Sequence, residues 1–129
     1  MTRISRIALC SFVGLLFLCL MAHSREARGE KESTEQAIEF LTSVVAQSHL
    51  TFIRNGDKHT ADEAVKHMRQ KYDYLQSRVK SPEDFISLCA SKSFLSGKPY
   101  LVVTEQGTIP VQKWLEQKLA EHVKSLEHL

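Results

Sequence analysis

Three short stretches of polar residues have the types and spacing that binding or catalytic chemistry requires. The first is Arg54-Asn55-Gly56, in which the arginine offers a planar fork of donors to a carboxylate or a phosphate. The turn that follows could add backbone amides. The same residues also form an ordinary tight turn, with the arginine paired to an acid or to the carbonyls of a helix end. The sequence favours the turn and leaves anion binding open.

The second stretch contains two histidines and a carboxylate. His59, Glu63 and His67 are four residues apart, and positions i and i+4 share one face of a helix, so Glu63 and His67 could face a common ion. A zinc site needs further ligands, which the sequence does not nominate, and His59 precedes the helix. The three residues are therefore weak metal candidates, and we expect no metal or other cofactor.

The third stretch, residues 93–100, places serines, a lysine and a tyrosine around Gly97. Gly97 and Lys98 superficially resemble the end of a phosphate-binding loop. The upstream glycine of that motif is missing, however, and Pro99 occupies the position of the serine or threonine that would bind magnesium. Ser96 and Lys98 can be written as a serine–lysine dyad, for which no third group is identifiable. A structured connector is the favoured interpretation.

Hydrophobic periodicity predicts the elements that must position these stretches. Apolar residues at three- and four-residue spacing, with their caps, indicate four helices. They run from Ser33 or Thr34 to Ser48, from the Thr60–Glu63 capping box to about Arg78, from Ser81-Pro82 to about Ala90, and from Pro110 onward. Extended segments are predicted at Leu50–Ile53 and Tyr100–Val103, the second pairing with Thr108-Ile109. The predicted fold class is mainly α (α+β), with four helices around one core and a small β-hairpin before the last helix.

The first twenty-four residues have the layout of a secretory signal peptide. Arg3 and Arg6 precede an uncharged run from Ile7 to Met21, and Ala22-His23-Ser24 places small residues at the cleavage positions. The run is about fifteen residues long, shorter than the roughly twenty that a membrane-spanning helix needs. We expect a signal peptide over 1–24 that is cleaved near Ser24, a polar lead-in over 25–33, and one globular helical domain over 34–129. The predicted location is the periplasm or the exterior, with no stable membrane span after cleavage.

Charge and cysteine content exclude several classes of function. The whole chain carries a formal charge of +2, and without Arg3 and Arg6 it has fifteen basic and fifteen acidic residues. A neutral domain lacks the basic excess that nucleic acid or anionic lipid would require. Cys10 and Cys19 lie in the predicted signal, so Cys89 is the lone cysteine of the mature chain and an internal disulfide is excluded.

Several short motifs occur in an order that resembles one protein family. They are Phe52-Ile53-Arg54-Asn55-Gly56, Ala64, His67-Met68 with Lys71, Glu83-Asp84-Phe85-Ile86, Ser91-Lys92-Ser93, Ser96-Gly97-Lys98-Pro99-Tyr100 and Trp114-Leu115. The family comprises small exported bacterial proteins classed as a domain of unknown function, and the resemblance covers nearly all of the mature chain. It implies export and a single domain, and it implies no activity.

The resemblance singles out polar residues that core packing does not explain. These candidate ligand-binding residues are Arg54, Asn55, His67, Lys71, Ser93, Ser96, Lys98 and Tyr100. We predict that the loop over residues 93–100 folds back over the turn at Arg54 and the helix that carries His67, so that all of them form one polar cluster. Such a cluster is either a ligand site or the lock that fixes the loops.

The leading hypothesis is a non-enzymatic binding or interaction module of the bacterial envelope. Its partner would be a small anionic ligand or an envelope protein. Arg54 and Lys98 would supply charge, Asn55 and Ser96 would supply orienting hydrogen bonds, and Tyr100 would offer a stacking surface.

Two alternatives stay open. One is a small periplasmic hydrolase in which His67 or His59 is the base and Ser96 the nucleophile. We assign no catalytic residue, because no acid, base and nucleophile have a recognised spacing. In the other alternative the polar residues are structural, and exposed helix faces carry the function.

Overall fold

The computed structural model describes residues 34–128. The predicted signal peptide and polar lead-in lie outside the described residues. The helices are α1 (34–48), α2 (Ala61–Leu75), α3 (Pro82–Phe85) and α4 (Val111–Glu127). The strands are β1 (Thr51–Arg54), β2 (Asp57–His59), β3 (Leu101–Thr104) and β4 (Gly107–Pro110). The architecture combines helices with a sheet, which agrees with the α+β character of the predicted fold class.

The four strands form one antiparallel sheet in the order β2-β1-β3-β4. The predicted hairpin is β3–β4, in which Val102 lies opposite Ile109. A second hairpin, β1–β2, turns through Asn55 and Gly56, whose φ angles are 54° and 88°. Positive φ at both central residues of a two-residue turn is typical of type I′ hairpins and explains the Asn-Gly pair.

The sequence prediction of a single small hairpin was too limited. The segment Leu50–Ile53 was predicted to be extended, but β2 was missed because Asp57, Lys58 and His59 are polar throughout and show no alternation. Pairing of β1 with β3, in which Phe52 faces Val102, joins the two hairpins into one sheet. The sheet is therefore a full layer of the fold, and it brings Arg54 near elements from the far end of the chain.

One apolar core joins the helices to the sheet. The fully buried side chains include Leu41 and Val45 of α1, Phe85, Val102, Val111 and Leu115. The rings of Phe52 and Trp114 pack edge to face, with their centroids 6.0 Å apart and an interplanar angle of 65°. Burial of each large apolar side chain in the core contributes about 1.5–3 kcal/mol to stability, because the side chain leaves water. The core thus positions β1 and α2 side by side.

The caps predicted for the second and third helices are present, and the ends of these two helices differ slightly from the prediction. Thr60 and Glu63 form the capping box, and Ser81 Oγ accepts a 3.1 Å hydrogen bond from the Asp84 N–H. The second helix ends at Leu75 and continues as a 3₁₀ turn over Gln76–Arg78. The third helix passes after Phe85 into a π-helical turn, Ile86–Ala90, that buries Cys89. Across residues 34–128, no helix combines the length and apolar character needed to cross a bilayer.

Candidate functional site

A cavity of about 320 Å³ opens beside the first turns of α2, and we call it the α2–β1 cavity. Its lining residues are Phe52, Ile53, Arg54, His59, Glu63, Ala64, Lys66, His67, Met68, Gln70, Tyr100 and Val111. The volume is at the lower end of the range for small-molecule sites. The lining combines apolar side chains with a few polar groups, which is the usual make-up of such sites.

Arg54 is the most distinctive polar group of the cavity. It is the last residue of β1 and lies opposite Asp57 in the hairpin, yet its guanidinium makes no ion pair or hydrogen bond with any residue in 34–128. The predicted turn has therefore formed without the predicted pairing of the arginine. Its positive charge helps to lower the pKa values of His67 and Glu63.

His67 and Tyr100 form a neutral hydrogen-bonded pair in the cavity wall. His67 Nε2 lies 2.9 Å from the Tyr100 hydroxyl oxygen. Burial, together with the nearby charges of Arg54 and Lys71, lowers the pKa of His67 to about 4. Burial also raises the pKa of Tyr100. Both groups are consequently uncharged at neutral pH.

One N–H or O–H proton of this pair is not used in the hydrogen bond between the two residues. A neutral imidazole has one N–H and one acceptor nitrogen, and a phenol has one O–H. If the Tyr100 hydroxyl donates to Nε2, then the proton on Nδ1 of His67 is unused. If Nε2–H donates instead, the Tyr100 proton is unused. In either tautomer the pair keeps one donor that no described residue accepts.

The remaining polar lining also contains an unpaired group. Nε2 of His59 is buried and has no hydrogen-bond partner among residues 34–128. Glu63 is the single carboxylate among the lining residues, and it already accepts a 2.8 Å hydrogen bond from the Thr60 N–H. That backbone bond is the largest cause of the lowered pKa of Glu63. Glu63 therefore serves the helix cap, and the cavity offers more donors than acceptors.

The weak metal candidates do not assemble into a ligand set. His59 Nδ1 lies 3.7 Å from Glu63 Oε2, whereas His67 is bound to Tyr100. In the part of the chain that the structure describes, no three histidine, cysteine or acidic side chains converge. The spacing of four residues brings these side chains to the same cavity wall, and their present partners are a helix cap and a phenol.

A second polar cluster lies outside the cavity, and we call it the loop lock: Lys71, Asn55, Ser93 and Ser96. Asn55 Nδ2 donates to Ser93 Oγ over 3.4 Å, and Asn55 Oδ1 accepts from Ser96 Oγ. These bonds tie the β1–β2 turn to the loop over residues 93–100. Within the loop, the backbone N–H of Gly97 donates to the carbonyl of Ser93 over 3.0 Å.

Lys71 is the buried cation of the loop lock, with 7% of its surface exposed. Its Nζ donates to the carbonyl of Lys92 over 2.8 Å and lies 4.0 Å from the centre of the Phe94 ring. The Tyr100 ring centre is 5.1 Å away. Burial lowers the pKa of Lys71. A carbonyl and two aromatic faces thus take the place of a carboxylate partner.

The eight predicted ligand-binding residues are divided between two places. Arg54, His67 and Tyr100 line the cavity. Asn55, Lys71, Ser93 and Ser96 form the loop lock. Lys98 is exposed, and its side chain belongs to neither place: among residues 34–128 its hydrogen bonds are made by its backbone N–H and carbonyl. The single cluster expected from the sequence is two clusters that meet at Tyr100.

The pairing that the hydrolase alternative requires is not formed. Ser96 Oγ donates to Asn55 Oδ1, and His67 is bonded to Tyr100 rather than to a serine. A nucleophile and its base must lie within hydrogen-bond reach or one water apart. Among residues 34–128, Ser96 therefore does not form a nucleophile–base pair with His67.

Sequence reasoning did not identify the apolar part of the cavity. Phe52, Met68 and Val111 are buried in the core, and each also lines the cavity. Val111 opens α4 and reaches this place because its N–H donates to the Tyr100 carbonyl over 2.9 Å. Apolar periodicity marks such residues as buried and carries no signal for which of them border a void.

Comparison with known proteins gives two matches. The profile of a family of unknown function, DUF5329, matches residues 32–123. An uncharacterized protein of Salmonella typhimurium, YfeK, is 43% identical over 60 residues, which cover 46% of this chain and 50% of that protein. The chain thus spans about half the length of the curated relative it matches. No solved structure matches the chain.

Proposed function

Because the chain belongs to the DUF5329 family, whose function is unknown, we propose a function from the chemistry of its cavity. The domain is a non-enzymatic binding module that holds a small anionic ligand in the α2–β1 cavity. The observation that carries the proposal is the guanidinium of Arg54, which lines the cavity without an acidic partner among residues 34–128.

An anion would satisfy several groups at once. A carboxylate can accept two parallel hydrogen bonds from one guanidinium, and such charge-assisted bonds are about twice as strong as neutral ones. Around Arg54 a further spare donor is the unused proton of the His67–Tyr100 pair. His59 Nε2, which has no partner among residues 34–128, adds another donor when it carries the ring proton. A cationic ligand, or one that carries only hydrogen-bond donors, would leave these donors unsatisfied.

The experiment is calorimetric titration with acetate, succinate and inorganic phosphate at constant ionic strength. The variants are Arg54→Gln and Arg78→Gln; Arg78 is an exposed arginine outside the cavity and serves as the matched control. We expect Arg54→Gln to weaken anion binding at least tenfold and Arg78→Gln to leave it unchanged. Equal binding by parent and Arg54→Gln, or no binding of any carboxylate by the parent chain, would refute the proposal.

We also propose that binding takes place outside the cytoplasm. The support is the signal-like layout of residues 1–24, with its basic start, uncharged run and small residues at 22 and 24. The mass of the protein recovered from an osmotic-shock fraction should correspond to a chain that begins at Arg25. Recovery of the intact chain from Met1 in the cytosolic fraction would contradict export.

A further inference from the structure

The lining of the α2–β1 cavity is ordered by depth. Phe52, Met68 and Val111 are 4%, 3% and 0% exposed, so they lie at its inner end. Arg54 is only half-buried, and Glu63 and Lys66 are exposed, so the charged groups surround the mouth. A small ligand in this cavity meets charge at the entrance and hydrocarbon inside.

We infer that the ligand is a monocarboxylate with a compact apolar body, bound with the body inside and the carboxylate at Arg54. This inference rests on the proposed function and specifies the ligand of the same site. The apolar inner end accounts for the body of the ligand, because each buried CH₂ gains about 0.8 kcal/mol by leaving water. A purely hydrophilic anion would leave that surface uncovered.

The charges at the mouth favour a single negative charge. Arg54 and Lys66 are the basic side chains of the lining, and Glu63 is the acidic one. These three side chains have a formal net charge of +1, which one negative charge on the ligand balances. A second negative charge among the buried apolar side chains would be unpaired and strongly disfavoured. Dicarboxylates and phosphate dianions are therefore poorer partners than monocarboxylates.

The volume limits the size of the ligand. A cavity of about 320 Å³ holds on the order of ten water-sized groups at roughly 30 Å³ each. Phenylacetate and octanoate each have a carboxylate and a body of that size, one flat and aromatic, the other an alkyl chain. Longer chains would extend back through the charged mouth.

The test is calorimetric titration of a series of ligands into the protein. The protein is used in the form in which it is recovered from the cells that produce it. The ligands are phenylacetate, octanoate, acetate, succinate, inorganic phosphate and 2-phenylethanol, which is phenylacetate without the charge. We expect phenylacetate or octanoate to bind at least tenfold more tightly than each of the other four. If phenylacetate binds more tightly than octanoate, the ligand is an aromatic acid; if octanoate binds more tightly, it is a medium-chain fatty acid.

A cavity variant separates the two parts of the ligand. Ala64 is half-buried in the cavity wall, and Ala64→Leu fills part of the space for the body. We expect this variant to bind phenylacetate or octanoate at least tenfold more weakly than the parent and to bind acetate equally well. Arg54→Gln, in contrast, should weaken the binding of all carboxylates. If Ala64→Leu does not fold, the ligand series on the parent chain decides the question.

The outcomes distinguish this inference from the proposed function. If acetate, succinate or phosphate binds as tightly as phenylacetate and octanoate, and Arg54→Gln abolishes that binding, the inference is wrong and the anion-binding function stands. If 2-phenylethanol binds as tightly as phenylacetate, the carboxylate has no role, and both are wrong. If no carboxylate binds, both are also wrong.

Discussion

The α2–β1 cavity and the loop lock contain similar polar residues and differ in how their donors are used. In the loop lock, Lys71 donates to a carbonyl, and Asn55 exchanges hydrogen bonds with Ser93 and Ser96. In the cavity, the guanidinium of Arg54 and Nε2 of His59 have no partner among residues 34–128. One cluster is complete within the chain, and the other needs acceptors from outside it.

This difference separates structural from ligand-binding roles. Leaving a buried polar group unsatisfied costs about 1–3 kcal/mol, so groups that only hold a fold together are normally paired within it. Unpaired donors around a cavity are tolerated when water or a ligand binds them. The comparison therefore predicts that changes in the loop lock reduce stability and that changes in the cavity reduce binding.

The largest expected effect is on Lys71. Lys71→Ala removes a buried side chain, its hydrogen bond to the Lys92 carbonyl and its contact with the Phe94 ring, and we expect a loss of about 2–3 kcal/mol in the free energy of unfolding. Urea denaturation measures it. Lys66→Ala, an exposed lysine of the same helix, is the control and should stay within about 0.5 kcal/mol of the parent. Equal stability of the two variants would show that the loop lock does not hold the fold.

Substitutions of Asn55, which lies in the β1–β2 turn, test how much its hydrogen bonds to the loop over residues 93–100 contribute to stability. Asn55→Gly removes its two side-chain hydrogen bonds and keeps a residue that accepts positive φ, so we expect a loss of about 1 kcal/mol. Asn55→Ala additionally places a Cβ at φ 54°, which adds about 1 kcal/mol. Denaturation of both variants separates the hydrogen bonds from the backbone strain. A Gly variant as stable as the parent would mean that the bonds to the loop contribute nothing.

The His67–Tyr100 pair predicts a pH dependence of stability. The folded pKa of about 4 lies below the ordinary 6.5, so between these values the unfolded chain binds more protons than the folded one. The contribution of neutral His67 is therefore fully present above pH 6.5 and is lost as the pH falls toward 4. The full difference corresponds to about 3 kcal/mol; because solvent screens a half-buried ring, we expect about 1–2 kcal/mol.

The measurement is urea denaturation at pH 7.5 and pH 4.5 for the parent chain and for His67→Gln. Other titrating groups affect both proteins, so the difference between their pH dependences isolates His67. We expect the parent to lose more stability than the variant on acidification. If both lose the same amount, the imidazole is not held neutral by its surroundings.

The smallest expected effects on stability are at Arg54 and Lys98. Arg54→Gln removes a cation that lowers the pKa values of His67 and Lys71 and breaks no bond to residues 34–128, so stability should change by less than about 0.5 kcal/mol or rise slightly. Lys98→Ala should be equally neutral. The two differ in binding, since only Arg54 lines the cavity. If Arg54→Gln lowered the free energy of unfolding by about 2 kcal/mol, Arg54 would stabilise the fold, and the absence of a structural role would be contradicted.

Local features of the fold were predictable because neighbouring residues determine them. The Thr60–Glu63 capping box, the Ser81 cap and the Asn55-Gly56 turn each depend on side chains within three or four positions. The helices followed from apolar periodicity to within a few residues. The polar residues of the motifs were also identified from the sequence, including all four members of the loop lock and both residues of the His67–Tyr100 pair.

Tertiary structure alone decided how those residues are grouped. Pairing of β1 with β3 joins segments far apart in the chain, and no local pattern encodes that register. It places Tyr100 so that its hydroxyl contacts His67 while its ring lies near Lys71, which divides one expected cluster into two. The sequence by itself determined which side chains are polar and which elements carry them. Which donors find partners, and which are left facing a cavity, depends on distances that only the packed chain sets.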